Sequence, residues 1–188
     1  MNIVSGQLRG LPLRAPAGMT TRPTAVRSRK ALFDSLGDLS GKTVADLFAG
    51  SGAIGLEAAS RGAALAVMVE KNAGHIPVIR TNAEKVRKTG VTARLEIVQA
   101  DILSVRSYVQ LLDQCSLILA DPPYQISADL FRSLMADPLF REHARACHLV
   151  WEIPDTPGAL GEFLEVEGLA DSRVRQFGGT LFLLGVIE

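Results

Sequence analysis

The first 30 residues contain no acidic side chain, although the 188-residue chain carries 20 Asp and Glu in all. Arg9, Arg14, Arg22, Arg27, Arg29 and Lys30 stand unopposed there, so a formal net charge of zero conceals a basic leader on an acidic remainder. A block of this kind points to a polyanion meeting one end of the molecule. Cysteine is almost as scarce. Cys115 and Cys147 each fall inside an expected buried strand, and they form no Cys-x-x-Cys pair. His75, His143 and His148 show no ligand spacing, so neither a disulfide framework nor a metal site is expected. A reduced, cytoplasmic setting fits this usage. No apolar run approaches the roughly 20 residues of a membrane span. The opening Met1-Asn-Ile-Val-Ser-Gly6 is no secretory signal, because no charged region precedes an apolar core.

What is present is an ordinary globular composition, 47% hydrophobic, enough for one domain with a small appendage. Residues 2–14 read as two short strands turning at Gly6 and Gly10, a hairpin with Arg9 near its tip and Arg14 beyond it. Pro12, Pro16 and Gly18 argue against a long central strand there. The division expected is a basic hairpin extension, residues 1–20, and a main domain, residues 21–188. Thr21–Leu36 reads as a helix with Pro23 in its first turn and Gly37 as its stop. From Thr43, apolar runs at 43–48, 65–70, 94–99, 116–121 and 147–152 alternate with helical stretches at 53–59, 73–88, 104–112 and 127–135. Pro138 marks a break. Residues 155–167 form a weaker helical pattern, and 173–177 pairs with 180–187 across Gly178-Gly179. Apolar strands separated by helices imply an α/β fold whose mostly parallel sheet is covered on both faces.

The stretch Val44-Ala-Asp-Leu-Phe-Ala-Gly-Ser-Gly-Ala-Ile-Gly55 is a strand, a glycine turn and a helix start. Gly50, Gly52 and Gly55 let a ligand approach the backbone and let the helix pack closely on the strand. Alone, this spelling means only that some nucleotide-like cofactor binds. Parallel sheets bind ligands beyond the carboxyl ends of their strands, which makes the acids there informative. Glu70, twenty residues after Gly50, suits the two hydroxyls of an adenosine ribose. Asp101 ends the third strand and suits the adenine amino group. Asp46 precedes the glycine turn, where it can orient that turn or meet a cationic group.

Asp121-Pro122-Pro123-Tyr124 is the decisive element. Two prolines directly after a buried strand fix φ and remove two backbone donors. The chain then leaves the sheet as a stiff elbow presenting acceptors. The Asp121 carboxylate and the Pro122 carbonyl can accept both hydrogens of one exocyclic amine. That draws the amine lone pair toward nitrogen and aims it at an electrophile. Tyr124 can stack on the same base, worth about 1–3 kcal/mol.

Together the glycine stretch and Asp-Pro-Pro-Tyr resemble a class I S-adenosylmethionine-dependent amino-methyltransferase. The likeness extends through Arg22-Pro23-Thr24, Arg27, Ala31-Leu32-Phe33, Ser60-Arg-Gly62, Val69-Glu-Lys-Asn72 and Phe177-Gly-Gly-Thr180. These residues are similar to those of the bacterial small-subunit ribosomal RNA guanine-N2 methyltransferases known as RsmD. The resemblance implies a Rossmann-like, seven-stranded sheet with its last strand antiparallel. It also implies methyl transfer from S-adenosylmethionine to a guanine 2-amino group of 16S ribosomal RNA, within a small-subunit particle, by a monomer. It would place Asp46, Phe48, Gly50 and Gly52 at the methionine end of the cofactor, Glu70 on the ribose, and Lys71, Asn72, Asp101 and Ile102 around the adenine. Asp121, Pro122, Pro123 and Tyr124 would hold the guanine, and Arg22 and Thr24 would close over it. Arg9, Arg14, Arg22, Thr24, Arg27 and Lys30 would meet RNA. Val26 and Lys30 stand where the family usually has acids, and Gly179 where it commonly has Asp, which leaves the Gly178-Gly179 turn without an assigned role.

Three rival readings follow from the same residues. A nicotinamide oxidoreductase accounts for the glycines and Glu70 but gives no reason for Asp121-Pro-Pro-Tyr124. A non-catalytic RNA-binding module accounts for the basic leader alone. An adenine-N6 methyltransferase uses the same elbow, and only the family resemblance favours guanine.

Overall fold

Seven strands form a single sheet: β1 (Thr43–Asp46), β2 (Leu65–Glu70), β3 (Arg94–Gln99), β4 (Leu117–Ala120), β5 (His148–Ile153), β6 (Leu169–Phe177) and β7 (Thr180–Ile187). Their order is β3-β2-β1-β4-β5-β7-β6. The first five run parallel, and β7 is antiparallel to both β5 and β6. The sheet belongs to a computed structural model describing residues 1–18, 23–156, 160–164 and 166–188, with side chains for all of these except residues 23–25. The expected Rossmann-like, seven-stranded, mostly parallel sheet with an antiparallel last strand is what the chain adopts.

Helices α1 (Pro23–Leu36), α2 (Ala53–Ser60) and α3 (Ile76–Arg87) lie along the chain before β3, and α4 (Ser127–Ala136), α5 (Pro138–His143) and α6 (Gly161–Leu164) after β4. Alternation along the strands divides the core between the two faces. Val44, Ala66, Met68, Leu117, Leu119, Val150 and Phe182 pack under α1, α2 and α3. Ala45, Val67, Val69, Ile118, Leu149, Trp151 and Leu183 pack under α4, α5 and α6. Each large side chain buried in this way contributes about 1.5–3 kcal/mol.

The leader folds back on itself as the expected hairpin, with one regular bridge, Asn2 with Pro12. Ile3 N donates to Leu11 O (3.0 Å), Gly10 N to Ile3 O (2.9 Å) and Leu13 N to Met1 O (2.8 Å) across it. Three further amides turn to α2: Val4 N donates to Glu57 Oε2 (2.8 Å), Gln7 N to Ser60 O (2.8 Å) and Leu8 N to Ser60 Oγ (2.9 Å). Gly6, at φ +76°, lies so close to α2 that a Cβ there would sit 2.1 Å from Ser60 O. Ile3 and Leu13 are buried against α2 and α3, so the leader shares the core of the main body.

Three helical expectations change. Residues 104–112 form two short 3₁₀ turns, Val105–Ser107 and Val109–Leu112, in place of one helix. Tyr108 interrupts them at φ −141°, its ring buried and its hydroxyl donating to Ile102 O at 2.6 Å. Pro138 starts α5, and the Asp137 carboxylate caps that helix by accepting from Leu139 N and Phe140 N. The pattern at 155–167 yields only the four residues of α6; positions 157–159 and 165 lie outside the described residues. Helix α3 starts at Ile76, three residues after the expected Ala73, and strands β1 and β4 stop at Asp46 and Ala120, short of the expected 48 and 121. Cys115 and Cys147 are buried free thiols just before β4 and β5 and not within them; Cys147 Sγ donates to Cys115 O at 2.8 Å.

Candidate functional site

Between β1 and β4 the connections diverge in opposite directions, which opens a crevice at the carboxyl ends of the strands. A cavity of about 500 Å³ lies there. Its walls come from the glycine turn after β1, the elbow after β4, the end of β5, the β6–β7 turn and one side of α1.

The glycine turn is held by two carboxylates. Gly50 and Gly52 take φ +55° and +81°, conformations that disfavour any side chain. Gly55 is needed for a different reason. A Cβ there would lie 2.6 Å from Met68 Cγ, so its absence lets α2 pack down on β2. Glu70 Oε2 accepts from Gly50 N and its Oε1 from Asn72 N, both at 2.7 Å. Asp46 is fully buried and accepts from Gly55 N (3.2 Å) and Phe48 N (3.4 Å). Burial pushes the Asp46 carboxyl up to about 7, and the Asp121 and Glu70 charges push the same way against the two amide bonds. Of the two roles expected for Asp46, its contacts are those of the turn organiser.

Phe48 and Gly50 line the cavity itself. Gly52, the N-cap of α2, lies away from its walls, as do Glu70, Lys71, Asn72, Asp101 and Ile102 along the ends of β2 and β3. There Lys71 Nζ bridges to Asp101 Oδ2 at 2.7 Å, which with the Leu103 amide holds the Asp101 carboxyl below its ordinary range. Ile102 is buried. The residues expected around an adenosine thus form one rim across two strand ends.

On the opposite wall the chain leaves β4 through Asp121, Pro122, Pro123 and Tyr124, all four lining the cavity. Pro122 is buried, whereas Asp121 and Tyr124 are exposed. Tyr124 Oη donates to Glu152 Oε1 at 2.5 Å. Below the elbow, Trp151 Nε1 donates to Ser127 Oγ at 3.0 Å, tying β5 to the start of α4. Phe48 meets the Trp151 ring edge-on with centroids 5.8 Å apart, so the chain's one tryptophan joins the glycine turn to the elbow.

Two residues in this cavity were not among the expected site residues. Glu152 lies one residue before the end of β5, much as Glu70 ends β2, and the same reasoning about acids at strand ends would have found it. Arg29 lines the cavity from α1 and donates from Nη2 to Asn2 O at 2.8 Å. Its Nε is buried without a hydrogen-bond partner, and burial lowers the guanidinium pKa against the pull of Glu57 and Asp46. No sequence signal separates Arg29 from the other cations of the leader, since its position depends on which side of α1 faces the sheet.

Arg9, Arg14, Arg27 and Lys30 are exposed, Lys30 being paired with Asp34 at 2.6 Å. Arg22 and the Thr24 side chain lie outside the described residues. The Gly178-Gly179 turn does have a structural task. Gly178 at φ +56° approaches α1 so closely that a Cβ would lie 2.7 Å from Ser28 N. Ser28 Oγ meets Thr180 Oγ1 at 2.7 Å and Gly178 O at 3.2 Å, which docks α1 over the cavity. Among the described residues no cluster of His, Cys, Asp and Glu could hold a metal ion, and no helix is long and apolar enough to cross a membrane.

A family model described as Conserved hypothetical protein 95 matches residues 1–168. The chain is 36% identical over 90 residues to a putative rRNA methyltransferase, YlbH, of Bacillus subtilis, covering 47% of this chain and 49% of that protein. It is 45% identical over 71 residues to ribosomal RNA small subunit methyltransferase D of Escherichia coli, covering 37% of this chain and 36% of that protein. The matched segments therefore span about half or less of these curated relatives. Among solved structures, a hypothetical protein of Thermus thermophilus superposes with a TM-score of 0.70 at 31% identity, covering 100% of this chain and 99% of that one. A putative methyltransferase, yhhF, of Escherichia coli gives 0.71 at 23% identity over 100% and 98%, a likeness of fold alone.

Proposed function

The chain belongs to the Conserved hypothetical protein 95 family, the RsmD-like methyltransferases, and from that membership we propose that it transfers a methyl group from S-adenosylmethionine to the 2-amino group of a guanine in small-subunit ribosomal RNA. One observation carries the reading. The Asp121-Pro122-Pro123-Tyr124 elbow and the glycine turn face each other across one cavity of about 500 Å³.

The cofactor fits the residues present. A turn of positive-φ glycines leaves backbone exposed for a ligand, Phe48 and Gly50 would flank its methionine part, and the rim of Glu70, Lys71, Asn72, Asp101 and Ile102 would hold its adenosine. When bound, S-adenosylmethionine supplies a methyl group already activated by a sulfonium charge. The protein's own task is then orientation. The target base must leave its stack to enter the cavity. The Asp121 carboxylate and the Pro122 carbonyl accept the two amine hydrogens, and the prolines put no competing donor beside them. Tyr124, its hydroxyl held by Glu152, stacks on the base. Asp121 holds the amine hydrogens, and the proton released after transfer passes to water. Arg9, Arg14, Arg22, Thr24, Arg27 and Lys30 are proposed to meet the RNA. The basic leader, residues 1–20, is proposed as the extension that encloses the site of the main domain, residues 21–188.

The test is incubation of the full chain with labelled cofactor and either naked small-subunit rRNA or assembled subunits, followed by identification of the modified nucleoside. The expected product is N2-methylguanosine. N6-methyladenosine would move the assignment to the adenine reading, and no methylated nucleoside in any preparation would overturn the reading. Calorimetry against S-adenosylmethionine and NAD separates the oxidoreductase alternative.

A further inference from the structure

Beside α1 the sheet carries a second groove, of about 610 Å³, over β5, β7 and β6. Register lays its floor out in rows. Glu152 pairs with Phe182 and Phe182 with Arg175; one row further from the cavity, Val150 pairs with Leu184 and Leu184 with Arg173. These residues share one face, because each strand advances by two between rows. The C-terminal end of α1 borders the groove at Ser35 and Leu36, and beyond it Arg173 and Arg175 stand exposed on that face. Neither arginine has an ion-pair or hydrogen-bond partner among the described residues. Lys42 and His148 add further basic groups at the far end, and Asp171 is the acid lining the groove.

The groove joins the candidate site. Val150 lines both, and Arg175 lies two strands from Glu152 in the same row, about 10 Å across the sheet. Arg173 follows about 7 Å further along β6, a spacing on the scale of successive phosphates in an extended strand. Arg27, exposed on α1, sits at the Gly178 turn, where a Cβ would lie 2.8 Å from its backbone carbon. Going away from the cavity, the α1 backbone at Arg27 meets the Gly178 turn, and Arg175 and then Arg173 follow along β6. The C-terminal part of an acidic remainder thus brings two cations to the basic leader's side.

We propose that this face of β6 and β7 binds the phosphate backbone of the RNA strand flanking the target base, with Arg175 and Arg173 each on one phosphate. The inference rests on the RNA-methyltransferase reading and deepens it. A phosphate track suits the observations better than a protein partner, because its cations are exposed, unpaired and spaced along a strand.

The test uses the full chain and the RNA preparation that it methylates. Affinity is measured across a salt series for wild type, Arg173→Ala/Arg175→Ala and Arg173→Lys/Arg175→Lys, with S-adenosylmethionine affinity measured alongside. The alanine pair is expected to bind RNA about tenfold more weakly at low salt. Its slope of log affinity against log salt should fall by about 2, while cofactor affinity stays unchanged. The lysine pair should recover most of the slope. An unchanged slope in the alanine pair, with wild type still methylating RNA, overturns this inference alone. Equal loss of cofactor affinity also overturns it, by making the arginines structural. Wild type that neither binds nor methylates RNA overturns the parent reading and this one with it.

Discussion

The two walls of the cavity are built in opposite ways. On the glycine side the polar groups are buried and bonded to backbone amides: Asp46 to Phe48 and Gly55, Glu70 to Gly50 and Asn72. On the elbow side, Asp121 and Tyr124 are exposed side chains on a stiff proline exit, and Glu152, near the end of the neighbouring β5, accepts from Tyr124. A wall whose carboxylates are occupied by its own backbone keeps one shape with or without a ligand. A wall of exposed polar side chains on a stiff exit is within reach of a molecule entering from solvent. The first suits a cofactor, the second a visiting base.

That contrast can be broken, most forcefully at the elbow. Asp121→Ala removes an acceptor that orients the amine and should slow single-turnover methyl transfer about 10²–10³-fold. On the glycine side the corresponding effect concerns stability and pH. Asp46 is protonated in the fold up to about 7, whereas in the unfolded chain it releases its proton near 4. Between those values the native state binds more protons, so this group's contribution to stability falls as pH rises and levels off above 7. Urea unfolding across that window should show wild type losing stability relative to Asp46→Asn as pH rises. A constant gap would remove Asp46 as the titrating group. Next in size, Glu70→Gln can keep only one of its two amide bonds and should weaken S-adenosylmethionine binding about tenfold by calorimetry. Rates at saturating cofactor should change little. The smallest effect belongs to Tyr124→Phe, which retains the ring and loses the bond to Glu152. A few-fold fall in methyl transfer, about 1 kcal/mol, is expected in steady-state assays. A larger loss would make the hydroxyl a participant in the reaction.

What could be read from the chain divides along similar lines. The succession of strands along the chain from Thr43 to Ile187 follows local signals, namely apolar runs, glycine stops and prolines, and the structure keeps that succession. The glycine turn was legible because positive φ and close packing are written as glycine. The leader's hairpin was legible but its docking was not, because the Val4, Gln7 and Leu8 amides are satisfied by Glu57 and Ser60, more than 50 positions away, which no local pattern records. Tyr108 broke a helix for the sake of a buried ring, again a tertiary demand. The site was legible where it is contiguous, as in residues 121–124. It was not where the tertiary fold assembles it, as with Arg29 on α1 and the turn at Gly178 that clamps Ser28.

The division of labour between the walls is tested most directly by the affinity of Asp121→Ala for S-adenosylmethionine, measured by calorimetry on the full chain. If the elbow serves the base and the glycine side the cofactor, the dissociation constant stays within about twofold of wild type while methyl transfer collapses. Loss of cofactor affinity in proportion to the loss of rate would contradict the account.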